Sequence, residues 1–381
     1  MKNKKIIGMT IVASMVASIF TGCGEKTDTI KIGGLAPLSG NVSMYGISTS
    51  NGYKLAVEDI NKNGGILGKQ VELVLEDEEG DQTKAINAYN KLVGNGVAGI
   101  VGDVTSKPTT AVAKQAADEG IPMITPTSTA ADVTTYGDNI FRSCYLDPFQ
   151  GGTMAKYAKE KLNISKTAIL YDSADDYSIG IAEAYKKTCE EIGIEVTAME
   201  NFQDSTATVD FKSQLTKIKE TNPEAIFVPT YYNAIALITT QAQQLGLEDA
   251  IFIGCDGWDG VVEALDKNNI NIVDGAYFAN HYFTGDDEPI VKDFLNKYEE
   301  TFGEKPTAFS ALGYDATMML AKAIEEAGTT DYAAVTEAMK NIDYNGVTGN
   351  RKFGGNGDPV KSITVITIEN GQYKLADKYS A

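Results

Sequence analysis

Apolar positions along this chain alternate between two periods: short unbroken runs, and longer stretches with a helical repeat. Ile30 to Leu35 is a run of the first kind, interrupted only by Lys31. Tyr53, Ala56, Val57 and Ile60 then recur at i, i+3, i+4 and i+7, and Gly64-Gly65 closes that helix. The alternation continues with a strand at Val71 to Leu75, a helix marked by Ile86, Tyr89 and Val93, a strand at Val97 to Val101, a helix over Pro108 to Glu119, and a strand at Ile121 to Ile124. From Phe149 the pattern restarts. Helices are predicted over Phe149 to Leu162, Ile179 to Ile192, around Phe211, Leu215 and Ile218, and over Ala234 to Leu245. Between them lie strands at Thr167 to Tyr171, Glu195 to Met199, Ala225 to Pro229 and Ala250 to Gly254. Helices near 289–302, 308–327 and 331–341 precede two strands, Ser362 to Ile368 and Tyr373 to Ala376, which read as an antiparallel pair.

Strands separated by helices of 10–15 residues imply parallel sheets covered on both faces. The chain is therefore expected to be α/β, with two doubly wound parallel-sheet lobes. In open sheets of this kind ligands sit beyond the carboxyl ends of the strands, near helix N-termini. The informative residues should lie in the loops that follow strands.

The N-terminus bears on compartment. Lys2, Lys4 and Lys5 precede an almost wholly apolar stretch from Ile6 to Phe20, the layout of an export signal and short for a bilayer span. It closes on Phe20-Thr21-Gly22-Cys23, which resembles the lipobox of bacterial lipoproteins and makes Cys23 the expected lipid attachment site. Residues 1–22 are then a signal peptide and 23–29 a tether. Without that peptide the chain keeps 30 basic and 52 acidic residues, a formal charge of −22, and such a surface repels nucleic acid. Cys144, Cys189 and Cys255 fit no metal spacing, and a Cys144–Cys189 pair stays open. The single histidine, His281, reads as a surface loop residue. No metal or cofactor is expected.

Three loops after strands carry candidate chemistry. Gly102 to Pro108 places Ser106 at an expected helix N-cap, where exposed N–H groups and the helix dipole suit a carboxylate. Thr125-Pro126-Thr127-Ser128-Thr129 offers three consecutive hydroxyls in a proline-fixed turn. Gly254-Cys255-Asp256-Gly257-Trp258 supplies a carboxylate and the only tryptophan, a partner and an aromatic wall for an ammonium. Tyr231, after another strand, and Tyr177, beside Asp175 and Asp176, are further candidates. Ser106 and Thr129 come from one half of the chain, Asp256 and Tyr231 from the other. A closing cleft between the halves would grip both poles of a zwitterion and exclude water.

The run Gly34-Leu35-Ala36-Pro37-Leu38-Ser39-Gly40, then Tyr45-Gly46, then Ala56 to Asn61 and Gly64-Gly65-Ile66-Leu67-Gly68, resembles the opening of leucine/isoleucine/valine-binding proteins. Val101-Gly102 with Ser106, Met123 to Pro126 with Thr129, and Gly254 to Gly257 continue the match in order across the chain. The resemblance implies a periplasmic binding protein of type 1, with lobes 30–146 plus 280–355 and 147–279 plus 356–381 joined by a three-crossover hinge. It also implies that Ser106 and Thr129 hold the ligand carboxylate. Thr127 meets the ammonium through a backbone carbonyl, Asp256 pairs with it, and Tyr45, Tyr177 and Tyr231 are cleft aromatics. Asp256 is shorter than the family's usual glutamate, Trp258 is extra bulk, and the loop at 125–128 is more polar than the family's.

The leading expectation is an extracytoplasmic receptor, lipid-anchored to the cell membrane, that binds a free neutral amino acid, branched-chain or otherwise hydrophobic. Tyr45, Trp258 and Phe309 are expected to line its apolar subsite, and ABC permease transmembrane subunits are the implied partners. A sensor of the same fold, for an amino acid or a small amide, is the second reading. The lipid anchor favours transport. An enzyme is disfavoured: the sequence has no G-x-S-x-G elbow, no P-loop, no H-E-x-x-H and no G-x-G-x-x-G after a strand.

Overall fold

The chain builds two sheets with the same strand order at their centres. The computed structural model describes residues 28–205, 207–353 and 356–379. The expected signal segment and Cys23 lie outside the described residues. The first part runs β1 (Ile30–Ala36), α1 (Ser43–Lys62), β2 (Val71–Asp77), α2 (Gln82–Gly94), β3 (Ile100–Val101), α3 (Ser106–Glu119), β4 (Met123–Thr125) and β5 (Ile140–Arg142). Its strands pair in parallel in the order β2-β1-β3-β4-β5. The second part runs α4 (Asp147–Glu160), β6 (Lys166–Asp172), α5 (Asp176–Ile192), β7 (Glu195–Phe202), α6 (Lys212–Glu220), β8 (Ala225–Phe227), α7 (Tyr232–Gln244), β9 (Ile251–Gly254), α8 (Val261–Ala264) and β10 (Tyr277–Asn280).

The chain then returns to the first sheet through α9 (Pro289–Phe302), α10 (Ala308–Ala327) and α11 (Tyr332–Lys340), followed by the hairpin β11 (Asp343–Gly346) and β12 (Gly349–Lys352). Finally β13 (Ile363–Glu369) and β14 (Gln372–Tyr379) extend the second sheet antiparallel to β10, giving the order β14-β13-β10-β9-β8-β6-β7. The expected doubly wound parallel lobes are present, and the terminal strands pair antiparallel as read.

Burial explains why the strands were legible. β1 is buried at every position but one, so it must be apolar on both faces. Several helices end on glycines in the left-handed region, among them Gly120, Gly193 and Gly328. Close helix packing needs one more glycine. A Cβ on Gly52 of α1 would lie 2.1 Å from the Ser310 carbonyl oxygen of α10. β5 was not foreseen, because Arg142 breaks its apolar run while lying fully buried. Its guanidinium is matched by Asp358 at 2.6 Å and by the carbonyls of Ser128 and Ala130 at 3.0 and 2.9 Å. Nor is a disulfide formed: Cys144, Cys189 and Cys255 are buried free thiols.

Candidate functional site

In each sheet the strand order reverses direction once, between β1 and β3 and between β6 and β8. Loops diverge at such switch points and leave a crevice. Here the two crevices face each other, so the loops after β3 and β4 oppose those after β6, β8 and β9.

On the first side Ser106 departs from its expected place. Thr105 holds the cap position of α3 in extended backbone and makes no side-chain cap bond, while Ser106 is the first helical residue. Its hydroxyl is thereby released from capping its own helix and accepts from Ser128 Oγ at 3.3 Å. Thr127 Oγ1 donates to the Val104 carbonyl at 2.6 Å. Thr129 Oγ1 is buried without a hydrogen-bond partner of good geometry; it neighbours Asp147, whose N–H donates to the Thr129 carbonyl at 2.9 Å. Burial holds Asp147 well above the usual carboxylate range, against the Thr129 hydroxyl, which draws it back. The buried Arg142 pins this loop from behind through the Ser128 and Ala130 carbonyls.

On the second side Asp256 is 2% exposed and opens a single helical turn after β9. Tyr177 donates its hydroxyl to Oδ1 at 2.6 Å, and His281 Nε2 lies 3.1 Å from Oδ2. Gln150 Oε1 accepts the Asp256 N–H at 3.2 Å. Tyr231 stacks on Tyr177 with ring centroids 4.9 Å apart and planes within 8°. A Cβ on Gly257 would meet the Thr230 carbonyl oxygen at 2.3 Å, so only glycine lets this turn approach so closely.

Tyr45 joins the two sides. From α1 it donates its hydroxyl to the Gly257 carbonyl at 2.5 Å and accepts the Tyr232 N–H at 3.1 Å. Its ring stacks on Phe309 at 4.1 Å and 10°. Ser106, Thr127, Tyr177, Tyr231, Asp256 and Phe309 line one narrow cavity of ≈ 10 Å³, about the space of one water. Ser128 and Tyr45 reach it through a partner each, Ser106 and Phe309.

Two sequence expectations are corrected. Trp258 is not a cleft wall. Its Nε1–H donates to the Val228 carbonyl at 2.9 Å, and the indole is fully buried beside Phe252 and Phe278. Gly254 makes room for it, since a Cβ there would lie 2.0 Å from Trp258 Nε1. His281 is not a surface residue either. It is 4% exposed, stacked on Tyr145 at 3.9 Å, and bonded to Asp256. Burial pushes its pKa down to about 4, so the ring is neutral, and Nδ1 has no partner. In that tautomer Nε2–H donates to the carboxylate. Sequence reasoning missed His281, Gln150 and Asp147. His281 directly follows β10, so the search of loops after strands would have reached it had that four-residue strand been recognised.

The arrangement offers hydroxyl donors from one lobe and a buried carboxylate from the other, with aromatic rings between. Among the described residues no group of three or more His, Cys, Asp or Glu side chains could hold a metal ion, and no helix is long and apolar enough to cross a membrane.

The chain matches a family model described as periplasmic binding protein over residues 29–372. It is 32% identical over 351 residues to the leucine-, isoleucine-, valine-, threonine- and alanine-binding protein of Pseudomonas aeruginosa, covering 91% of each. Among solved structures it is similar to the leucine-binding protein LivK of Thermotoga maritima, with a TM-score of 0.86 and 33% identity over 92% of this chain and 99% of that one. It is also similar to the branched-chain amino acid transporter substrate-binding protein LivJ of Streptococcus pneumoniae in complex with isoleucine, with a TM-score of 0.85 and 33% identity over 93% and 99%.

Proposed function

The chain belongs to the periplasmic binding protein family, and from that premise we propose that it is an extracytoplasmic receptor for a neutral amino acid, branched-chain or otherwise hydrophobic, which it delivers to the transmembrane subunits of an ABC importer. One observation carries the reading: Ser106 of one lobe and Asp256 of the other line the same narrow cavity. The acid pole of a zwitterion is assigned to the Ser106 hydroxyl, and to Thr129, whose hydroxyl in this structure is engaged with Asp147. Asp256 receives only neutral donors from the protein, Tyr177 and His281, so an ammonium supplies the missing counter-charge. Relatives that bind leucine and isoleucine by name support the ligand class.

The protein catalyses no reaction in this reading. Its three buried thiols and neutral His281 are packed or hydrogen-bonded rather than poised as nucleophile and base. Residues 30–146 with 280–355 are assigned to one lobe and 147–279 with 356–381 to the other. A lipid on Cys23 anchors the receptor after removal of residues 1–22.

A thermal-shift screen of the twenty amino acids tests the proposal. A hydrophobic amino acid should raise the melting temperature, because it binds the folded state alone. If no amino acid shifted it, the reading would fall. Replacing Cys23 with Ser should abolish incorporation of labelled fatty acid and release the protein from the membrane fraction. Unchanged labelling would remove the anchor assignment.

A further inference from the structure

Asp259 follows Asp256 in the same turn, yet its side chain leaves the grip. It is 6% exposed and is not among the residues lining the cavity that Ser106 and Asp256 share. The turn that carries it is fixed to the second sheet. Tyr373 of β14 accepts the N–H groups of Gly260 and Val262 at 3.1 and 3.2 Å, and donates its hydroxyl to Glu263 at 3.0 Å. The Asn280 side chain, at the end of β10, holds the Asp259 carboxylate from the same side.

The other partner of Asp259 stands across the cleft. Its Oδ2 accepts the Ala308 N–H at 2.8 Å. Ala308 is the first residue of α10, which packs on α1, β3 and β4. A helix start leaves N–H groups without intrahelical acceptors and gathers positive partial charge. Two donors here are satisfied from within, since the Thr307 hydroxyl accepts the Ser310 N–H at 3.4 Å and the Ser310 hydroxyl accepts the Thr307 N–H at 3.2 Å. The Ala308 N–H is taken up by the opposite side instead.

The consequence reaches the grip. Phe309, the next residue of α10, lines the grip cavity and stacks on Tyr45. Met44 of α1 presses on the same turn, where a Cβ on Gly260 would lie 2.8 Å from its Sδ. A carboxylate taken out of water needs charge-assisted bonds to offset its desolvation. The bond to Ala308 is one that parting the two sides would break.

We propose that Asp259 is a latch of the closed receptor: without touching the ligand, it completes the start of α10 across the cleft, holds the two sides together and seats Phe309 at the bound amino acid. The inference rests on the receptor reading above and adds to it a positioning residue that sets how long the ligand stays.

Calorimetry and stopped-flow release on the full mature chain test it, with leucine, isoleucine, valine and phenylalanine as probes. Asp259→Ala should weaken Kd about tenfold or more, the size of one lost charge-assisted hydrogen bond, and the change should fall mainly on the release rate. Every probe that binds should lose affinity by the same factor, because Asp259 contacts none of them. Asp259→Asn, which keeps an acceptor oxygen, should recover part of the loss. Ala308→Pro attacks the bond from its other end: proline is accepted at the first position of a helix and lacks the N–H. It should weaken binding likewise, and the double variant with Asp259→Ala should bind little worse than either single one, since both remove the same bond. A Kd for Asp259→Ala within about threefold of wild type, losses that differ from probe to probe, or full additivity in the double variant overturns the latch and leaves the receptor reading standing. Failure of every probe to bind the wild-type protein overturns that reading and the latch with it.

Discussion

Replacing Asp256 by Asn should abolish most of the ligand affinity while leaving the fold intact. The carboxylate is 2% exposed, and both of its oxygens already accept from the protein, Oδ1 from Tyr177 at 2.6 Å and Oδ2 from His281 at 3.1 Å. Neither donor carries charge, since burial keeps His281 neutral above about pH 4. In the proposed complex the ligand ammonium is therefore the cation that bonds it directly. Truncating one side of a buried, hydrogen-bonded charge pair costs about 2–5 kcal/mol, which corresponds to a roughly 30- to 5000-fold weaker Kd. Asparagine is the right probe because one amide oxygen can still accept from Tyr177 or His281. Alanine would leave both donors unpaired at about 1–3 kcal/mol each and confound affinity with stability. Isothermal titration with the tightest ligand of the amino-acid screen, alongside a melting curve of each free protein, measures the two effects separately. A Kd within about threefold of wild type, at an unchanged melting temperature, would refute the assignment of Asp256 to the ammonium.

Ser106→Ala should weaken binding less, by about 1–2 kcal/mol, because backbone N–H groups at the start of α3 remain; a loss as large as that of Asp256→Asn in the same titration would contradict this. Trp258→Phe should lower the melting temperature, since it removes one of two donors to the buried Val228 carbonyl, which keeps the Thr230 N–H, a loss of about 0.5–1.5 kcal/mol. It should leave Kd within about threefold, and a large affinity loss would return Trp258 to the cleft. Stability should fall as pH rises from 5 to 9. Burial raises Glu78 and Asp103, whose carboxyls neighbour one another, and Asp175 and Asp259 shift the same way, each to about 7. For an acid whose folded pKa is raised, the contribution is complete below the unfolded value near 4 and is lost as pH climbs through the folded value. Glu78→Gln should make melting temperature less dependent on pH over that window, and an unaltered slope would count against the buried pair. The lowered pKa of His281 works in the opposite sense and only below about pH 6.5.

The fold was legible because buried parallel strands are largely apolar, as in β1 apart from the half-buried Lys31, and because glycines stop helices cleanly, as at Gly120 and Gly193. Looking only after strand ends located Ser106, Thr127, Tyr177, Tyr231 and Asp256, which share one cavity. What escaped depends on contacts between distant segments. Arg142 reads as a break in a strand until Asp358, 216 residues away, supplies its counter-charge. Trp258 sits one turn from Asp256, yet backbone direction after Gly254 sends the indole into the sheet's core rather than the cleft.

His281 shows why the grip and the connection between the lobes are one device. It lies where the chain leaves the second sheet after β10, and it holds the Asp256 carboxylate to which the proposed function assigns the ammonium. Tyr145, from the first passage between the sheets, stacks on its ring at 3.9 Å. Ser143, two residues earlier, accepts through its carbonyl from Arg351 at 3.0 Å and from Lys361 at 3.2 Å, both in the last passage. All three passages therefore meet behind Asp256. A ligand can favour closure only by as much as it binds the closed form better than the open one. In the proposed grip Ser106 and Asp256 would supply that difference, because the loops after different sheets carry them and neither side alone presents both. Tyr45 adds to it by bonding Gly257 and Tyr232 across the cleft. Separation of the lobes would break the Tyr45 bonds and part the two poles of the proposed grip, whereas Asp256, Tyr177 and His281 would remain together on one side. In the proposed complex the carboxylate is thus preorganised before the ligand arrives, and the binding energy would be directed to bringing the hydroxyl side to it.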